Sequence, residues 1–176
     1  MKWSGTILDT WAPMRTCAPM LAWLAATLFG PGLAVASAQD ARSVPLAERA
    51  RGAERVIVGS VTSVNPVWQV NEFGDRLIVS VVRVAVNETL KGPSLPTMDV
   101  DVEGGTLDGV TLRVSDQTSF AVGERAVFYL RRNVRGRFVP HLRSQGTLKL
   151  DQFDRVPENG LTLETIRREV AAGGGR

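Results

Sequence analysis

Arg76-Leu77-Ile78-Val79-Ser80-Val81-Val82-Arg83-Val84-Ala85-Val86 is the stretch on which the fold turns. In a strand, every second side chain points to the same face. Ile78, Ser80, Val82, Val84 and Val86 therefore share one face, and Leu77, Val79 and Val81 share the other. Both faces are apolar at the start, whereas Arg83 and Asn87 leave only one apolar face further along. A long strand whose burial changes along its length suits a strongly bent sheet or a barrel. Lys91-Gly92-Pro93 is the expected stop.

Strand signals continue on either side. Val56 to Val64 is β-branched or small almost throughout, and Asn65-Pro66 is expected to end it. Downstream, Met98, Val100 and Val102 alternate with Asp99, Asp101 and Glu103. Gly104-Gly105 marks a turn or bulge. Val110, Leu112 and Val114 alternate next, then Ala126, Phe128 and Leu130. Asn133 to Gly136 reads as a hairpin turn, followed by strands over Phe138–Leu142 and Gly146–Leu150. Helical spacing occurs only at the ends. Ser43 is a candidate N-cap before Leu46, Ala50 and Ala53. Thr162 is another before Leu163, Ile166 and Val170, with Glu164 and Arg168 spaced to pair and Gly173-Gly174-Gly175 closing the helix. The fold class expected is mainly β: a small OB-like β-barrel over residues 55–150. A linker and short helix (39–54) precede it, and a C-terminal helix with a flexible tail (151–176) follows.

The order of these elements resembles a known family. Val56-Ile57-Val58-Gly59-Ser60-Val61 opens the likeness, and a long strand ending in Leu90-Lys91-Gly92 continues it. Gly104-Gly105, Phe120-Ala121-Val122-Gly123-Glu124 and Phe128-Tyr129-Leu130 follow. This layout, over Arg55 to Lys149, resembles the OB-fold of netrin-like domains. These include the tissue inhibitors of metalloproteases, and secreted bacterial proteins of similar layout. The resemblance implies an OB barrel and, as an alternative function, regulation of a secreted protease. The inhibitors bind protease zinc through an N-terminal cysteine. The only cysteine here is Cys17, so that mechanism does not transfer.

The first 38 residues read as a signal peptide. A charged region at Arg15 precedes an apolar run from Met20 to Val35, and Ala36-Ser37-Ala38 offers a small-residue cleavage site. Met14 is a possible true start. The protein is thus expected to be exported, periplasmic or extracellular, with no integral membrane segment after cleavage. Cys17 falls in the leader, so the remaining chain must rely on packing without disulfides.

Charge is distributed unevenly. The formal net charge is only +3, too mild to imply nucleic acid. Yet Arg131, Arg132, Arg135, Arg137, Arg143 and Lys149 follow one another with no acid among them, whereas Asp99, Asp101, Glu103 and Asp108 occur together without a cation. The basic segment surrounds a hairpin tip, with Tyr129 and Phe138 nearby. It is the candidate binding site, comprising Arg131, Arg132, Arg135, Arg137, Arg143 and Tyr129. Trp68 is a further candidate, as a barrel cap or an exposed anchor. The partner class is a protein or an anionic surface. The bland alternative is that these arginines pair with the acidic strand, where exposed pairs are worth about 0–1 kcal/mol.

Catalytic and metal chemistry find little support. His141 is the only histidine, and no G-x-S-x-G elbow accompanies it. Zinc needs three or four His, Cys or acidic ligands. Asp99, Asp101 and Glu103 share a strand face and form a weak cation candidate. Phosphate-cradling glycine motifs are absent. A non-enzymatic binding module without a cofactor is the expected function, and an enzyme acting through His141 ranks third.

Overall fold

The computed structural model describes residues 43–71 and 73–174. The expected signal segment 1–38, Met14, Cys17 and the start of the linker lie outside them. The chain is mainly β with one helix at each end. In order come α1 (Leu46–Gly52), β1 (Arg55–Val70), β2 (Arg76–Lys91), β3 (Thr97–Glu103), β4 (Gly105–Leu107) and β5 (Val110–Leu112). They are followed by β6 (Arg125–Arg132), β7 (Phe138–Pro140), a 3-10 turn (Arg143–Gly146), β8 (Thr147–Leu150) and α2 (Leu163–Gly174). No helix among the described residues is long and apolar enough to cross a membrane.

The pairing of the main sheet is cyclic. Its six strands run β1-β2-β3-β7-β6-β8, and β1 pairs β6 as well. Arg55 to Ser60 of β1 lie against Leu130 to Arg125 of β6. All these ladders are antiparallel except β3 with β7, where Val100 faces Phe138 in parallel. β4 and β5 form a separate two-stranded hairpin.

The period of two in β1 and β6 explains how one sheet feeds two cores. Val56, Val58, Val127 and Tyr129 pack under the helices with Ala50, Leu163, Ile166 and Val170. Ile57, Val61, Ala126, Phe128 and Leu130 point the other way, onto Val82, Val84, Met98, Val100 and Val102. The buried residues of that second cluster all lie in strands, and Phe120, from the loop before β6, packs against them. Burying each such large side chain contributes about 1.5–3 kcal/mol. The bend is helped by register shifts in β1, one at Val58/Gly59. There a side chain at Gly59 would collide with Val84 and lie 2.7 Å from the Ala85 carbonyl oxygen.

Several local expectations are corrected. Asn65-Pro66 does not end β1, because Pro66 pairs opposite Ser80 and the strand runs on to Val70. Beyond Ser60, β1 pairs only with β2, and an edge tolerates proline's missing N–H. The residue before α1 is Pro45, not Ser43; the Ser43 hydroxyl accepts from Arg49 Nη2 at 3.0 Å. Thr162 does cap α2, accepting from Thr165 N at 3.2 Å. β7 stops at Pro140, because Leu142 and Arg143 turn to φ of 62° and 56°. α2 continues through Gly173 to Gly174, with Gly173 close against the backbone of Ala47. Arg167, rather than Arg168, anchors α2, gripping Glu88 on β2 at 2.7 Å.

Candidate functional site

Two hairpin tips of the same design frame the site. In the β6–β7 turn, Asn133 Oδ1 accepts from the N–H groups of Arg135 (2.9 Å) and Arg137 (3.0 Å). In the β1–β2 turn, Asn71 Oδ1 accepts from Phe73 (2.9 Å) and Asp75 (2.8 Å). Each tip needs a left-handed residue three places after its asparagine, and glycine supplies it: Gly136 at φ 74° and Gly74 at φ 89°. Val134 and Phe73, which stand between asparagine and glycine, are thrown outward. Val134 is 80% exposed and Phe73 81%.

Between the tips lies a groove of about 260 Å³. Leu77, Val79 and Val139 make its apolar lining, and Arg131, Arg135 and Arg143 line it with positive charge. Asp101 and Glu103 supply its acidic groups.

The acidic strand and the basic segment do meet, but incompletely. Arg137 holds Asp101 through Nη2–Oδ1 at 2.7 Å and Nε–Oδ2 at 3.1 Å. Arg143 reaches Glu103 at 3.1 Å and also pairs with Asp116. Arg132 approaches Glu54 at 3.9 Å and stands over the Phe138 ring, 5.0 Å from its centroid. Lys149 pairs with Glu124 at 2.8 Å. Arg131 and Arg135 have no acidic partner among the described residues, and both are exposed at the groove. Hydrogen bonds to Asp101 raise the Arg137 pKa above its ordinary value.

The remaining candidates lie elsewhere. Tyr129 is fully buried in the helix-side core, and its hydroxyl has no partner among the described residues. Burial pushes its pKa up to about 12. Trp68 is half-buried beside the groove rather than in its lining. Its Nε1 donates to Asp108 Oδ2 at 3.1 Å, and Arg76 stands over its ring at 4.4 Å.

The strand carboxylates are each taken by an arginine: Asp99 by Arg83 at 2.8 Å, Asp101 by Arg137 and Glu103 by Arg143. A cation there would have to displace guanidinium groups. No group of three His, Cys, Asp or Glu that could hold a metal occurs among the described residues. His141 packs its ring against Gly52, and its Nδ1 is buried without a partner among the described residues. Its pKa is lowered, first by burial and then by the charges of Arg131 and Lys91.

Phe73, Val134 and Gln69 also line the groove, and sequence reasoning did not single them out. Asn-x-x-Gly at both tips was the available signal, since it marks two matched turns. Compared with known proteins, the chain matches no protein-family model and no curated protein.

Proposed function

We propose that this chain is an exported, non-enzymatic binding module built on an OB-like barrel, which takes an anionic partner in the groove between its β1–β2 and β6–β7 tips. Arg131 and Arg135 are its anchors. One observation carries the reading: in a segment where the other cations have acidic partners, these two guanidiniums face the groove with no acidic partner among the described residues. A protein that pairs four cations internally and leaves two at a concave surface has charge to offer a ligand.

The barrel reading is supported by the cyclic pairing, the parallel β3–β7 contact and the inner core of buried strand residues. In OB folds, ligands commonly lie across the second and third strands, between the loop joining the first two and that joining the last two. The groove is lined from β2, β3 and those same two tips. Export rests on the character of residues 1–38. Retention on an immobilised polyanion column tests the reading. An Arg131→Gln/Arg135→Gln protein should elute at clearly lower salt than the parent. Equal elution would remove the two arginines from the site.

A further inference from the structure

A second, larger cleft of about 650 Å³ adjoins the groove. Glu103 and Gln117 line both, so the two clefts adjoin at the end of β3. The two clefts differ in chemistry. Val64, Val82, Val102 and Phe120, all from or against the inner core, lie beneath the second. Thr106, Thr111 and Arg113, from the β4–β5 hairpin and just beyond it, wall it. Arg113 is exposed and has no acidic partner among the described residues. At the junction, Gln117 Oε1 is buried and accepts no hydrogen bond among the described residues. A buried acceptor left unpaired costs about as much as a lost hydrogen bond, and a turn of the Gln117 side chain, which lines both clefts, would bring that oxygen to a ligand donor.

Resting on the anion-binding reading above, we infer that the partner is an extended polypeptide segment carrying both acidic and apolar side chains, running through both clefts. Its carboxylates meet Arg131 and Arg135 at one end and Arg113 at the other. Its apolar side chains lie over Val102 and Phe120, and a backbone N–H donates to Gln117 Oε1. The alternatives fit less of the surface. A bilayer is flat and cannot enter two adjoining clefts. A sulfated glycan has charge throughout and gains nothing from an apolar floor. Inorganic phosphate spans neither the distance nor the change of chemistry.

The test is fluorescence anisotropy on the full chain. The probe is a short labelled peptide alternating glutamate with leucine. Comparators are a glutamate-only peptide of the same length, heparin, and phosphatidylglycerol vesicles. The alternating peptide should bind about tenfold more tightly than the glutamate-only one. Arg113→Gln and Gln117→Leu should each weaken it several-fold, with circular dichroism unchanged. Thr111→Trp, which narrows the cleft from its exposed wall, offers a second route to the same loss.

Suppose instead that the glutamate-only peptide, heparin or the vesicles bind as well as the alternating peptide, with Arg131 and Arg135 still required. The peptide inference then falls and the groove reading stands. The inference also falls if the alternating peptide binds but ignores Arg113, Gln117 and Thr111. If no probe binds, or binding ignores Arg131 and Arg135, both fall.

Discussion

Arg137 grips Asp101 with both arms of its guanidinium, at 2.7 and 3.1 Å, and the carboxylate it holds is only 5% exposed. The pair joins β3 to the turn of the β6–β7 hairpin, next to the single direct strand pairing of Val100 with Phe138. This arginine therefore belongs to the frame that aims the hairpin, while Arg131 and Arg135 face the groove.

Removing Arg137 should accordingly cost stability. Arg137→Gln leaves Asp101 buried beside an uncharged side chain, at a loss of roughly 2–4 kcal/mol. Arg131→Gln should stay within about 0.5 kcal/mol of the parent, as expected for an exposed side chain without a partner. Urea denaturation of the two variants measures the contrast. Equal stabilities would mean the Arg137–Asp101 pair contributes nothing net.

Tyr129 is the only tyrosine in the chain, so its titration can be read directly from ultraviolet absorbance. Burial holds its phenol protonated, with a pKa pushed up to about 12, partly opposed by the charge of Arg49. An unfolded tyrosine ionises at about pH 10. The folded state thus keeps a proton that the unfolded state has lost. The associated stability is complete below about pH 10 and fades as pH rises toward 12. An ordinary, unshifted tyrosinate midpoint in the folded protein would contradict the burial. Tyr129→Phe removes a buried hydroxyl without a partner, and should leave stability unchanged or raise it by about 1 kcal/mol.

His141 is likewise unique and gives a single imidazole signal by NMR. Its pKa lies below the ordinary value, so the folded state favours neutral imidazole. The sign is opposite to that of a histidine in an ion pair. Stability from this group is full above about pH 6.5 and is lost as pH falls through the lowered folded value. Arg131 is one of the causes of the shift. Arg131→Gln, or an anion bound at Arg131, should move the His141 midpoint upward. An unmoved midpoint in the variant would place the Arg131 charge away from His141.

At Gly59 the β1–β2 ladder leaves no room for a side chain. Alanine there would drive its methyl into Val84 and the Ala85 carbonyl. β1 is also bulged at Val58/Gly59 and is paired with β6 on its other side, so it cannot retreat without disturbing that pairing. Gly59→Ala should cost about 1–3 kcal/mol by overpacking. A thermal melt matching that of the parent would show that the ladder yields.

The fold was legible where periodicity was strong. Met98, Val100 and Val102 are all buried, as their alternation implied, and the helices stand at the two ends as their spacing implied. Pro66 misled because a strand's edge status is a tertiary property. Only the strand pairing shows that β1 has lost its second neighbour by that point. The site was less legible. Its arginines were visible as a cluster, but not which of them were already engaged. Arg137 and Arg143 find Asp101 and Glu103 at separations of 36 and 40 residues. The groove itself joins turns at Asn71 and Asn133, which only the cyclic sheet order brings together. Tyr129 looked available from its position beside the arginines. The helices that cover it lie at the far ends of the sequence.

On the proposal made above, two arginines, Arg131 and Arg135, bind the partner, and not the whole basic segment. The most direct test of that claim is the affinity for an acidic peptide, by calorimetry at fixed low salt, of four single variants: Arg131→Gln, Arg135→Gln, Arg132→Gln and Arg143→Gln. The first two should each lose about 1.5–3 kcal/mol, the worth of a charge-assisted hydrogen bond, which is roughly tenfold or more in affinity. The second two, already paired with Glu54 and with Glu103 and Asp116, should change affinity by less than about threefold. A uniform loss across all four would contradict the claim and reduce the segment to an unspecific basic face.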